Sequence, residues 1–274
     1  MGCADISSQT NRLISCVFSR DEVLTLTMTS TSVITVPAFA DAGSQVRHFF
    51  GTRRHAVDLG LEVGIPRRGI AGASLSSWTL SVKQVHGTEA LVVDRALAST
   101  DRFVGGWDAL VTDQPGVMVA VRTADCVPIL MHDPQRRVVA AVHAGWRGAV
   151  AGIVLQTLAL LESRFGSCVE HVRISIGPSA GVCCYEVDEP VLDHLCQGFS
   201  DWNKVVRTRG GGKAHLDLKS LVKEQAQAFG VAPKFITTVN LCTICHEDLF
   251  FSYRRERKVN GTMVSAIGLP MRRG

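Results

Sequence analysis

Three residues able to hold a metal ion or attack a substrate stand at the ends of apolar runs: His86, Cys126 and His143. His86 closes Lys83-Gln84-Val85-His86 just before Gly87. Asp125 and Cys126 precede the run 127–131. His143 follows the run 138–142 and is itself followed by Trp146 and Arg147. A thiolate and two imidazoles suit a borderline-soft ion such as zinc, and catalytic zinc sites use three protein ligands with one position left for water or substrate. The spacing is long, unlike that of a zinc finger. The same atoms also serve metal-free chemistry, with Cys126 as nucleophile and His143 as its base. A purely structural role is the third possibility, and the residues alone leave all three open. Asp125 is placed either to orient a ligand or move a proton, or to accept from nearby backbone N–H groups at a strand end.

Other chemistry-bearing residues give weaker signals. Arg53 and Arg54 follow the apolar segment HFFGT and read as solvated charges or as anion contacts. The vicinal pair Cys183-Cys184 reads as packing. Cys242-Thr-Ile-Cys245-His246 matches both a haem-attachment and a thioredoxin-like pattern. Read locally, it is a structural turn before a FFSYRR strand. The basic stretch 207–213, RTRGGGK, is Gly-rich but lacks P-loop spacing and reads as a flexible loop. His132 and Asp133 fall in a hairpin turn and are expected to be exposed.

These residues need elements to position them. The runs 127–131 and 138–142 flank the polar turn His132-Asp-Pro-Gln135, which predicts a hairpin. If its strands are antiparallel, Cys126 and His143 meet at one edge. Residues 149–165 carry Val150, Ile153, Val154, Leu158 and Leu161 at helical spacing, which predicts one amphipathic helix of about four turns ended near Gly166. His143-Ala-Gly-Trp-Arg-Gly148 is then a strand-to-helix junction, where Gly145 and Gly148 permit a close turn and free N–H groups can face an anion. Further strands are expected at HFFGT, 78–82, 108–113, 172–177, FITTVNL and VSAIGLP, and helices at 191–199 and 216–230. Residues 1–31 hold two apolar stretches, 13–19 and 23–29, that suit strands or a mobile extension; compact structure is expected from residue 32 to 274. The elements do not alternate regularly, which favours one α/β or α+β domain with mixed sheets.

Composition narrows the class. The chain has 274 residues, 46% hydrophobic, with a net charge of +4. That charge is too mild to imply nucleic acid, and a small anion such as phosphate fits it equally. No run approaches a membrane span of about 18 apolar residues. The nine cysteines are odd in number and irregular in spacing, which suggests reduced thiols and a cytoplasmic setting.

QVHG, DALVTD, VRTADCVPIL, HAGWRG, IGPSAGVCCYEV, HLDL, CT-x-C and FFSYRR follow one another in this order. The chain thereby resembles the laccase-domain family, once described as multicopper polyphenol oxidases and now as purine nucleoside phosphorylases with adenosine deaminase and methylthioadenosine phosphorylase activity. The likeness runs from about residue 33 to the C-terminus. It implies a single domain of mixed sheets layered with helices, like the catalytic domain of cytotoxic necrotizing factors. It implies a metal, zinc rather than copper, at His86, Cys126 and His143, and purine nucleosides and phosphate as substrates. Arg53 and Arg147 become candidates for phosphate or ribose, with Gln84, Tyr185 and Arg254 beside them. A monomer or homodimer is expected, and a peptidoglycan-precursor hydrolase or a non-catalytic metal-binding module are the alternatives. The chain departs from the family pattern after Arg53, where a Gly-Gly is missing, and before the last strand, where an Arg is missing.

Overall fold

Apolar runs rich in β-branched residues become the central strands of the molecule. The structure, a computed structural model, describes residues 12–18, 22–28, 33–39, 46–54, 78–96, 103–210 and 213–271. The strands are β1 (Arg12–Phe18), β2 (Glu22–Met28), β3 (Val33–Thr35), β4 (Arg47–Gly51), β5 (Trp78–Leu80), β6 (Ala90–Val93), β7 (Ala109–Thr112) and β8 (Val117–Thr123). They continue with β9 (Val127–Asp133), β10 (Val138–Ala144), β11 (Arg173–Ile176), β12 (Glu186–Val187), β13 (Val206–Gly210), β14 (Lys213–Leu216), β15 (Ile236–Thr238) and β16 (Met263–Gly268). The α-helices are α1 (Trp146–Val150), α2 (Ile153–Phe165), α3 (Glu189–Gly198), α4 (Leu218–Phe229) and α5 (Tyr253–Glu256).

Two large mixed sheets pack face to face. One has the order β1-β2-β3-β4-β16-β8-β5, the other β15-β11-β9-β10-β7-β6, and a small sheet joins β12, β14 and β13. Side-chain alternation explains the layering. In β9 and β10, Leu130, Val139 and Ala141 face the first sheet and meet Phe50, Val119, Val121 and Ile267. Their neighbours Ile129, Met131, Val138, Ala140 and Val142 face the other way, onto Ile153, Val154, Leu158 and Leu161 of α2 and Leu221 and Val222 of α4. A strand buried on both faces reads as a continuous apolar run, and both β9 and β10 are buried along their whole length. The molecule is thus a single mixed α/β domain, as the motif order led one to expect. β2 pairs with β3, so the first sheet extends into the segment read as an N-terminal extension.

Four local expectations need revision. The helix predicted over 149–165 is two helices, because Gly152 adopts φ +83° and ends the first after five residues. FFSYRR is not a strand: Ser252 caps the short helix α5, its side chain accepting from Arg255 N–H. His132 and Asp133 are not in an exposed turn; β9 runs through them and both are buried. The turn begins at Pro134, two residues later than expected, and Asp133 Oδ1 accepts from the N–H groups of Gln135 and Arg136 at 2.8 and 3.1 Å. The basic stretch 207–213 is largely hairpin, shared by β13 and β14, with residues 211–212 outside the described residues.

Candidate metal centre

The hairpin register carries Cys126 and His143 to the same edge. β9 and β10 are antiparallel, with His143 opposite Pro128 and Ala144 opposite Val127. His143 Nδ1 is tied to Asp108 Oδ1 at 2.8 Å, which leaves its other ring nitrogen for a ligand or substrate. Carboxylate–imidazole pairing of this kind fixes the ring of a metal-ligating histidine.

Asp108 also builds the third corner. Its carboxylate accepts from the backbone N–H groups of Val85, His86 and Gly87 at 3.2, 2.9 and 2.6 Å. Those three bonds hold His86 at φ +62°, a conformation that L-residues rarely adopt without such support. His86 Nε2 then lies 3.8 Å from Cys126 Sγ, and the His86 and His143 rings meet edge to face at 4.8 Å. One nitrogen from each histidine and the Cys126 sulfur all lie within 4.8 Å of one another. The separations and donor types fit one zinc ion.

Two glycines make room for this convergence. A Cβ on Gly145 would stand 2.7 Å from His86 Cδ2 and 3.2 Å from Cys126 Sγ. A Cβ on Gly148 would stand 2.6 Å from the Gly87 carbonyl oxygen, so the two motif loops touch backbone to backbone.

Electrostatics couple the three corners. Burial works against the Asp108 carboxylate, yet the bonds from His143 and the Gly87 and His86 N–H groups hold it below its ordinary value. Burial likewise disfavours charge on both Cys126 and His143, and the pairing outweighs it. The Cys126 thiol is brought down to about 7 by His143 and His86, and His143 is raised to about 9 by Asp108 and Cys126. A sulfur that ionises this readily is prepared either to ligate a metal or to act as a nucleophile.

A cavity of about 470 Å³ opens above this set. Gln84, Arg147, Tyr185 and Arg254 line it, together with Arg122, Trp146, Leu218 and Tyr253. Its size suits a nucleoside-scale ligand. Arg147 stacks over Trp146 at 4.4 Å, and Arg254 over Tyr185 at 5.1 Å. Burial raises the Tyr185 hydroxyl to about 12, so it remains a protonated donor at neutral pH. The Gln84 amide exchanges two 2.8 Å bonds with the Arg122 backbone, anchoring the His86 loop to β8. Arg53 is placed elsewhere: it bonds the Glu247 carbonyl, stacks over Phe251 at 4.8 Å, and is not among the residues lining the cavity.

Asp125 reaches the cavity wall, but its carboxylate is engaged. Oδ1 accepts from Thr243 Oγ1 at 2.6 Å, and Oδ2 accepts from Ser252 Oγ at 3.0 Å and Arg254 N–H at 2.7 Å. Asp125 therefore pins the α5 segment and the loop at 243 against the cavity. Asp108 was not singled out from the sequence. The available signal was its place one residue before β7, the strand that pairs with the one carrying His143.

The same network leads to a second convergence. Cys183, Cys184, Cys242 and Cys245 offer sulfurs within 4.8 Å of one another. Cys183 and Cys245 are exposed and Cys184 is half-buried, so the vicinal pair is not ordinary core packing.

The pattern of the multi-copper polyphenol oxidoreductase laccase family matches residues 49–270. A Bacteroides thetaiotaomicron protein named purine nucleoside phosphorylase is 38% identical over 190 residues, covering 67% of this chain and 70% of its own. Purine nucleoside phosphorylase YlmD of Geobacillus stearothermophilus is 35% identical over 228 residues, 78% of this chain and 83% of that protein. Its crystal structure superposes with a TM-score of 0.71 and 28% identity, covering 94% of this chain and 100% of the other. A protein from an unknown prokaryote, named adenosine deaminase RL5, is 35% identical over 179 residues, 63% of this chain and 68% of its own. The chain belongs to the multi-copper polyphenol oxidoreductase laccase family.

Proposed function

We propose that the chain is a zinc-dependent purine nucleoside phosphorylase acting on adenosine, inosine, guanosine and methylthioadenosine, with adenosine deaminase activity beside it. The observation that carries this reading is the His86–Cys126–His143 set beneath a nucleoside-sized cavity edged by arginines. The relatives' names point the same way. His86, Cys126 and His143 hold the zinc, which supplies Lewis acidity to polarise a substrate atom.

The chain's own residues supply binding and orientation. In phosphorolysis a phosphate oxygen attacks the sugar carbon, the bond to the purine breaks, and the base leaves. Arg147 holds the phosphate charge through paired guanidinium donors, and Arg254, whose Nη1 donates to the Glu186 carbonyl at 2.7 Å, adds its remaining donors. Trp146, Leu218 and Tyr185 give the purine apolar walls, and the Tyr185 hydroxyl donates a hydrogen bond. Gln84 acts indirectly, by fixing the His86 loop. Arg53 serves the fold beneath the Glu247 loop rather than the substrate. Phosphorolysis is the leading reaction because it asks mainly for an anion clamp. Deamination needs a proton carrier, and Asp125, the one carboxylate among the described residues lining the cavity, is already bonded three times.

One observation supports a second reading. A thiol lowered to about 7 beside a histidine raised to about 9 is also the pairing of a Cys–His hydrolase. Metal analysis followed by incubation of inosine, adenosine and methylthioadenosine, each with and without phosphate, separates the two. Phosphate-dependent release of free base supports the phosphorylase. Full activity in metal-free protein refutes the zinc requirement. A metal-loaded chain that turns over none of these nucleosides supports a binding module instead. Cys126→Ala and His143→Ala should lose the zinc of this site, one equivalent per chain, and turnover while circular dichroism is unchanged. A cytoplasmic setting and a monomer or homodimer complete the proposal; no helix among the described residues is long and apolar enough to cross a membrane.

A further inference from the structure

We propose that Cys183, Cys184, Cys242 and Cys245 form a second metal site, a four-thiolate zinc site that clamps the wall of the cavity. Zinc–sulfur bonds of about 2.3 Å in a tetrahedron set neighbouring sulfurs about 3.8 Å apart. Here Cys245 Sγ lies 3.6 Å from Cys183 Sγ and 3.3 Å from Cys184 Sγ, and all four sulfurs stay within 4.8 Å of one another. A disulfide would require about 2.05 Å and would join sulfurs in pairs. Four mutually close sulfurs describe one centre rather than two bonds.

The local backbone is shaped for this. Cys242 Sγ accepts from Gly181 N–H at 3.2 Å and also from the N–H groups of Cys245 and Ile244. These bonds stabilise charge on sulfur and fold the Cys-x-x-Cys segment around it. Gly181 eases the approach, since a Cβ there would crowd Cys242 Cβ at 3.1 Å and Cys183 Sγ at 3.2 Å. A parallel bridge between Ser179 and Cys242 brings the two cysteine-bearing segments side by side. Cys183 and Cys245 are exposed, which leaves a path for the ion.

Charge balance is built in. Four thiolates around a divalent ion carry a net charge of −2. Lys219 is buried and its ammonium donates to the Ser179 carbonyl at 3.4 Å; burial works against its charge, and Asp217, then Cys242 and Cys183, favour it. A buried cation needs a compensating anion, and a filled thiolate site supplies one. Arg255, its charge paired with Glu256 at 2.9 Å, fixes the Cys242–Cys245 loop by donating to the Thr243 and Ile244 carbonyls at 2.7 and 3.0 Å. Thr243 bonds Asp125, and Tyr185 follows Cys184 directly. The ion therefore braces two residues of the cavity lining, Tyr185 directly along the chain and Asp125 through Thr243, and its presence is independent of which substrate the cavity takes.

The test is titration with cobalt(II) chloride of the full chain, stripped of metal, fully reduced and kept anaerobic. It is carried out in the Cys126→Ala/His143→Ala background so that the first site contributes nothing. We expect one equivalent bound, with the intense thiolate-to-cobalt absorption of several sulfurs, and displacement by zinc. Adding Cys183→Ser and Cys245→Ser, both at exposed positions, should abolish that band with unchanged circular dichroism. No uptake by the reduced background protein overturns the site, as does a band that survives the two serine substitutions. If the multiple variant fails to fold, cobalt stoichiometry keeps the test decisive: two equivalents in the parent chain against one in Cys183→Ser/Cys245→Ser support the site, and equal stoichiometry in the two overturns it.

Discussion

Asp108→Asn is the most informative single substitution, because one carboxylate organises two of the three proposed ligands. Its Oδ1 serves His86 N–H at 2.9 Å and His143 Nδ1 at 2.8 Å; its Oδ2 serves Val85 and Gly87 N–H at 3.2 and 2.6 Å. An asparagine keeps the shape but has one oxygen and one amide nitrogen. Whichever way it sits, its NH₂ group faces two donors in a fully buried place. A hydrogen bond to a charged group contributes about 1.5–3 kcal/mol, so two lost bonds cost about 3–6 kcal/mol in total. That loss divides between global stability and the site. The site's share is set by the general finding that removing a carboxylate behind a metal-bound histidine weakens binding by about 10–100-fold. The expected result is a folded protein with a lowered melting temperature and zinc affinity reduced by that factor, read by chelator competition. Nucleoside turnover at limiting zinc should fall in parallel and recover with added zinc. A lowered melting temperature with unchanged zinc affinity would refute the reasoning and make Asp108 a fold residue only.

Further substitutions separate space from backbone strain and burial from charge. Gly145→Ala has an ordinary φ of −71° but no room, with 2.7 Å to the His86 ring; zinc affinity of the His86–Cys126–His143 site should fall by an order of magnitude or more while circular dichroism is preserved. Gly152→Ala is the converse, since its Cβ would meet only Leu155 at 3.4 Å but φ is +83°. It should cost about 1–2 kcal/mol of stability, seen as a drop of roughly 2–4 °C per kcal/mol in melting temperature, with metal content unchanged. His132 is buried and packed near Phe39, and burial followed by the nearby Arg173 lowers it to about 4 from 6.5. The unfolded chain therefore binds this proton first. The stability it protects is complete above pH 6.5 and declines as pH falls towards 4, by about 2 kcal/mol between pH 7 and 5. Urea unfolding of His132→Leu should show a pH dependence shallower by that amount, and equal slopes in the two proteins would count against a buried neutral imidazole.

How much could be read in advance depended on whether the determining contact was local. The 127–144 hairpin was legible because a polar turn between two apolar runs fixes register, and register alone places Cys126 near His143. The division of the helix at Gly152 was not, since a glycine at helical spacing is compatible with either outcome until the φ it adopts is known. FFSYRR alternates poorly and ends in charges, and its helix depends on Ser252, whose hydroxyl caps α5 while also bonding Asp125 far away in sequence. His132 and Asp133 were misplaced because β9 continues under Phe39, a contact made by a segment more than ninety residues upstream.

The same division runs through the site. Candidate ligands advertise themselves by element chemistry, so His86, Cys126 and His143 could be picked by residue type and position at strand ends. The groups that make them a site do not. Asp108 is one carboxylate among many until β7 pairs with β10. Arg53, selected for its charge beside a strand, turns to Glu247 and Phe251 because the 247–251 loop folds over it. The four cysteines show the argument most sharply. Each pair is explained away in isolation, one as packing and the other as a turn. Only the bridge between Ser179 and Cys242 makes them neighbours. That bridge begins where β11 and β15 leave their parallel pairing. A sheet contact between chain segments about sixty residues apart thus brings together the four sulfurs. The loops that extend it carry Tyr185 into the cavity lining and Thr243 onto Asp125, which also lines the cavity. If the thiolate site is filled in solution, sheet topology rather than any local motif determines where this fold places its second metal.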